Sequence, residues 1–209
     1  MALIFEGNAN SDSIFFKHHS LVTFYLVQAE RYADISVNNH TDGVLQSDSI
    51  VAIVFASMCI EAFVNEMAED LFKNTDLEDF SFLRNRFKKS GKSSSLTKKV
   101  ALIFQEAFDI KVKQSLLSSV EDLVRLRNKL IHYKLTDTAT RFILPPLSQT
   151  EGEDGQRMST VDFSKTPKKI IPPFVQTVTG EAADRSARAA KSVLSFWNEC
   201  VKSKQGADH

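Results

Sequence analysis

Two cysteines, seven glycines and five prolines in 209 residues exclude several kinds of protein at once. Cys59 and Cys200 form no spaced pattern, so neither a disulfide scaffold nor a cysteine zinc site is built here, and a reducing compartment is expected. So few glycines and prolines argue against a turn-rich β fold and for helices. No glycine-rich phosphate loop, no G-x-S-x-G elbow and no C-x-x-C occurs, which removes the common nucleotide, hydrolase and redox signatures. His18, His19 and Glu30 offer no metal spacing, because adjacent histidines point to different faces. We therefore expect no metal and no cofactor. The N-terminus, MALIFEGNANSDS, has no basic segment ahead of a long apolar run. The most apolar window, IVAIVFASMCIEAFV, is short for a bilayer and carries Glu61. A cytoplasmic chain with no membrane partner is expected.

A net charge of zero hides an uneven distribution. Residues 1–83 hold three Lys/Arg against thirteen Asp/Glu, and residues 84–134 hold thirteen against four. Such asymmetry has two readings. A basic segment suits a polyanionic partner, and opposite segments can also neutralise one another inside the fold.

Apolar periodicity predicts an all-α bundle of four to five helices. The first helix is expected over SDSIFFKHHSLVTFYLVQAERYADIS, capped by Ser11 or Asp12. The second is expected from about Ser49 to Phe72, with Ser47 or Asp48 as cap, and is apolar enough on all sides to be the central one. The basic, serine-rich stretch LRNRFKKSGKSSSLTKKV reads as a mobile connection with a short helix on either side. SLTKKVALIFQEAF and QSLLSSVEDLVRLRNKLIHYKL follow as helices. Residues 136–179 contain all five prolines. They read as an irregular, β-hairpin-containing insertion, with RFIL pairing FVQTVT around a disordered acidic tip. A last helix opens at Thr179 or Gly180 and lines one face with Ala183, Ala187, Ala190, Leu194, Trp197 and Val201. The whole, 1–209, reads as a single domain with that one insertion.

One stretch departs from pattern. In VEDLVRLRNKLIHYKL, residues Val120, Leu123, Val124, Arg127, Leu130 and Ile131 share one helix face at about 100° per residue, so a permanent cation sits mid-stripe. A guanidinium there needs a carboxylate or several carbonyls. On the second helix, Ser57, Glu61 and Asn65 make a polar ridge at i, i+4, i+8 through an apolar surface. The two anomalies predict that Glu61 or Asn65 bonds Arg127. An ion pair that only fixes helix register is one reading of this. His132 lies about 140° around the helix from Arg127 and shares its face with Asn128 and Arg125. A histidine in a last helical turn also suits the helix dipole, with no further role.

Arg127, Asn128 and His132 in RNKLIH, near a helix end, together with IEAFVNEMAE upstream and an all-α pattern, resemble the HEPN superfamily. Its signature is an arginine, four to six residues, then a histidine, often with a polar residue directly after the arginine. The resemblance covers residues 15–135 and the last helix, and leaves 136–179 unaccounted for. It implies a metal-independent endoribonuclease for single-stranded RNA, which uses the 2′-OH as nucleophile and leaves a 2′,3′-cyclic phosphate. It also implies a homodimer with a composite site, a role as toxin or defence effector, and a possible antitoxin or operon partner. Arg127, Asn128 and His132 would be catalytic, supported by Glu61 and Asn65. An imidazole can move protons at neutral pH, and a guanidinium can hold two phosphate oxygens. Arg125, Lys129, Lys88 and Lys89 are candidate RNA contacts, with Lys92, Lys98 and Lys99 beside them. Lys134 stands where nucleotidyltransferase-paired toxins of the family carry a modifiable tyrosine, while Tyr133 directly follows the histidine. A non-catalytic HEPN module that binds a protein partner or nucleotide is the alternative.

Overall fold

The computed structural model describes residues 3–6, 14–17, 20–39, 45–88, 93–143, 148–151, 154–160 and 168–207. A short antiparallel ladder of β1 (Leu3–Glu6) and β2 (Ile14–Lys17) opens the chain. Five long helices follow: α1 (Val22–Asn38), α2 (Ser47–Leu71), α4 (Ser95–Phe108), α5 (Gln114–Ile131) and α8 (Gly180–Ala207). Three short ones lie between them: α3 (Asn74–Ser81), α6 (Leu135–Thr138) and α7 (Pro173–Thr177). The chain is mostly helical, as its few glycines and prolines predict.

Helix α2 is the centre, in contact with each of the other long helices, α1, α8, α4 and α5. Ala52, Ile53, Ala56, Cys59, Ile60 and Val64 are fully buried along it. Its 25 residues are long and apolar enough to cross a membrane, more than the shorter sequence window suggested, yet half of that stretch is buried among neighbouring helices. That is how a core helix packs. On the flanking helices, small side chains are buried in the core, Ala29 and Ala33 on α1 and Ala183, Ala187 and Ala190 on α8, while Tyr25 and Tyr32 of α1 pack their rings against Phe55 of α2. Small residues let helix backbones come close. Farther along, Phe63, Phe104 and Trp197 join α2, α4 and α8 edge to face, with Phe63–Trp197 centroids 5.2 Å apart and Phe104–Trp197 5.5 Å.

Several expectations are corrected. The first helix starts at Val22, and Ile14–Lys17 form a strand instead, because the aromatic and β-branched run IFFK finds a ladder partner in LIFE. Ser11 and Asp12, expected as caps, lie outside the described residues. The start of α1 is satisfied from elsewhere: Leu21 N–H donates to Glu66 Oε1 of α2 at 3.1 Å, and Val22 N–H to Ser20 Oγ at 3.3 Å. Ser47 and Asp48 are inside α2 and cap nothing by side chain; Gln46 is the N-cap residue. The Gln46 amide oxygen accepts from Ser36 Oγ at 2.7 Å and from Ser49 Oγ at 3.1 Å, which ties α1 to the start of α2 through buried hydroxyls.

The basic stretch after α3 is only partly a connection. Phe72, Phe80 and Phe87 cluster with centroids 4.8 to 5.4 Å apart and anchor a short 3-10 turn at Asn85–Phe87. Residues 89–92 are outside the described set. In the insertion, β3 (Arg141–Ile143) pairs β6 (Lys168–Ile170), and β4 (Ser148–Glu151) pairs β5 (Arg157–Thr160). RFIL thus supplies a strand, but its partner is KKI and not FVQTVT. Pro173 sits in the first turn of α7, where its fixed φ favours a helix, and Phe174 and Val175 are buried. Of the expected acidic tip, Asp154 and Gly155 form a turn, with Gly155 at φ +71°, and Gly152 and Glu153 lie outside the described residues.

Candidate functional site

Helix α5 explains its own arginine. Val120, Leu123 and Val124 are buried, but Leu130 is half-buried and Ile131 is exposed. Arg127 stands where the stripe leaves the core, with its side chain 34% exposed. The cation therefore keeps part of its hydration and escapes the penalty of full burial.

Two groups hold it there. Glu61 Oε1 of α2 is 3.5 Å from Arg127 Nη2, an ion pair rather than a tight hydrogen bond. Arg127 Nη1 donates to Asn128 Oδ1 at 3.2 Å. Asn65, the other candidate from the polar ridge, is exposed one turn beyond Glu61. Ser57, one turn before, is buried with no hydrogen-bond partner among the described residues. Lys99 of α4 also feels Glu61. Burial pushes its ammonium below the ordinary lysine value and the Glu61 charge opposes this, while its Nζ lies 5.7 Å from the Phe80 ring centre.

His132 ends α5, with its N–H bonded to Asn128 O at 3.0 Å. It is exposed and lines an open groove of about 690 Å³ together with Asn128, Lys129, Tyr133, Glu121 and Phe174. Arg127 is not part of that wall. Arg127 and His132 thus lie on different sides, and Asn128 links them: its side chain accepts from Arg127, and the residue also lines the groove. Tyr133 is 56% exposed, and its ring centre lies 6.0 Å from that of Phe174 on α7. The insertion thus supplies a wall of this groove, which the sequence left without a role.

The groove also holds a carboxylate that sequence reasoning missed. Glu121 Oε2 accepts from Ser94 N–H at 2.8 Å and from Thr97 Oγ1 at 2.7 Å. Burial pushes this carboxyl up, but the Ser94 N–H, the Thr97 and Ser94 hydroxyls and the Arg125 charge together hold it below the ordinary glutamate value. Ser94 caps α4 by accepting from Thr97 N–H at 3.2 Å, so Glu121 fixes that helix start against α5. The helix opening at SLTKKV was legible in the sequence, but its Ser94 cap was not. The glutamate that completes it is 27 residues away and gave no signal.

The remaining candidates divide. Arg125 and Lys129 line the groove, Arg125 in an ion pair with Asp122. Lys88 is exposed after the 3-10 turn and away from the groove wall, and Lys89 lies outside the described residues. The charge asymmetry is partly spent inside the fold, through Arg84–Glu78 and Arg86–Asp76, both 3.3 Å, and Arg127–Glu61.

Comparison with models of known protein families, with curated proteins and with solved structures gives no match. The functional reading therefore rests on the residues themselves.

Proposed function

We propose that the chain is a HEPN-like, metal-independent endoribonuclease that cleaves single-stranded RNA. One observation carries this reading. His132 stands solvent-accessible in the wall of an open groove, and Asn128 ties that groove to an arginine that Glu61 also holds. A groove with an accessible imidazole, neighbouring cations and a fixed guanidinium suits phosphodiester chemistry. The 2′-oxygen attacks phosphorus as its proton passes to a base, and the P–O5′ bond breaks as the 5′-oxygen takes a proton from an acid. The products are a 2′,3′-cyclic phosphate and a 5′-hydroxyl.

One histidine does not readily act as acid and base in a single step. A two-fold homodimer would bring a second Arg127 and His132 to a shared cleft, and the exposed residues at and just beyond the end of α5, Ile131 to Tyr133, offer a surface for it. In this reading the enzyme acts in the cytoplasm as a toxin or defence effector, and an antitoxin or operon partner would act by covering the groove.

The contacts already made to Arg127 by Glu61 and Asn128 favour a second reading, in which the pair is structural and the groove binds a protein partner or nucleotide without catalysis. Incubation of labelled RNA in EDTA separates the two. Wild type should release cyclic-phosphate ends, and folded His132→Ala and Arg127→Ala proteins should not. A folded wild-type dimer that leaves varied RNAs intact overturns the ribonuclease reading.

A further inference from the structure

Beside the groove at His132, α5 and α8 leave a second open groove of about 560 Å³. The two share Arg125, Lys129 and Thr177, so they are continuous across the Lys129 position. The far wall is the N-terminal part of α8, which contributes Arg185 and Arg188. Among the described residues, four cations, Arg125, Lys129, Arg185 and Arg188, line this second groove with one carboxylate, Asp122, which pairs with Arg125.

The α8 arginines have partners that a phosphate can displace. Glu181 lies 3.5 Å from Arg185, and Asp184 pairs with Arg188, each one helical turn back and outside the groove wall. The arginine side chains are 64% and 66% exposed, where such i, i+4 pairs are weak. Three of the hydroxyls that line the groove already donate to backbone carbonyls. Ser119 Oγ donates to Leu116 O at 2.8 Å, Thr177 Oγ1 to Pro173 O at 2.7 Å, and Ser186 Oγ to Ala182 O at 2.7 Å. The cations are the charged donors of the groove. Arg185 and Arg188, three residues apart, share one side of α8, a spacing that suits neighbouring phosphates of one strand.

We propose that the α5–α8 groove carries the RNA strand away from His132, with Arg185 and Arg188 holding its backbone phosphates. The identity of the strand rests on the ribonuclease reading, but the path is measured by binding alone. The probe is a labelled 2′-O-methyl single-stranded RNA, which lacks the nucleophile for cleavage. Its affinity is followed by fluorescence anisotropy across a salt series, for the full chain and for R185Q/R188Q. A K191Q/K202Q protein removes two charges from the same helix outside the groove, and a dinucleotide reports the cleavage site alone.

The expected result is a loss of about tenfold or more in R185Q/R188Q, with the salt slope smaller by about 1.4 for two lost phosphate contacts. K191Q/K202Q should bind as wild type, and dinucleotide cleavage should be unchanged in R185Q/R188Q. Equal binding by R185Q/R188Q and wild type overturns the path and leaves the ribonuclease reading standing. So does an equal loss in K191Q/K202Q, which would show general charge and not a groove. Selective weakening without cleavage of any RNA would support the path and remove the ribonuclease. No binding by wild type overturns the path.

Discussion

Glu61 of α2 and Arg127 of α5 meet at 3.5 Å at the level where α5 leaves the core. The pair is half-exposed, so its energetic and functional weights can be separated. A half-solvated ion pair is screened, and its coupling in a double-mutant cycle of Glu61→Gln with Arg127→Ala should be about 1 kcal/mol or less. Chemical denaturation of the four proteins measures it, and a coupling above ~3 kcal/mol would mark a buried structural pair instead. Arg127→Lys should melt near wild type yet lose about 100-fold or more in cleavage, because an ammonium cannot hold two phosphate oxygens at once.

Glu121 should give the fold a pH dependence of definite sign. Its carboxyl is held below the ordinary value in the folded chain by Ser94, Thr97 and Arg125, against the upward push of burial. A carboxyl depressed by folding stabilises above its unfolded value of ~4.3, and that contribution disappears as pH falls through the lower folded value. Glu121→Gln should therefore be less stable than wild type by about 1 kcal/mol at pH 7, the low end for a charge-assisted bond because the groove admits solvent. Melting curves of the two proteins should converge below that folded value. A constant gap at all pH would mean that shape and not charge holds Ser94.

Gly180 begins α8 against α1. A Cβ built there would lie 2.8 Å from Ser36 O and 3.0 Å from Val37 Cα, both backbone atoms. Gly180→Ala should cost about 1–3 kcal/mol, against the gain that alanine normally brings to a helix. Gly206→Ala, with nothing within 4 Å of the new atom, is the matched control and should be neutral or slightly stabilising. Thermal denaturation of both variants decides it.

Cys59 should be inert in the native protein. It is fully buried, and burial, helped by the Glu30 and Glu66 charges, pushes its thiol up to about 12. Cys200 is 6% exposed and is also pushed up, by burial and then by Glu199. A thiol reagent at pH 8 should titrate neither until denaturant is added, since only the thiolate reacts. Fast reaction of one thiol in native buffer would show that α2 or α8 opens locally.

What was legible in the sequence is tied to local periodicity. The bounds of α4 and the start of α8 follow from apolar spacing and helix-start residues, and the meeting of Glu61 and Arg127 follows from two polar interruptions in apolar faces. The first helix was overextended because Ile14–Lys17 has an apolar run compatible with either element, and only its ladder with Leu3–Glu6 decides between them. FVQTVT has strand composition, yet Phe174 and Val175 are buried in a short helix behind two prolines. Tertiary burial overrides propensity there.

The sequence by itself determined an all-α chain with a central apolar helix, and it set Arg127, Asn128 and His132 in order on one helix, because helical period and composition act within a few residues. Only the tertiary structure decided that Arg127 stands at the edge of the core, that Glu121 joins Ser94 and Thr97, and that α8 brings Arg185 and Arg188 alongside Lys129. Those relations join segments tens of residues apart, and they depend on where helices cross, which no local pattern encodes.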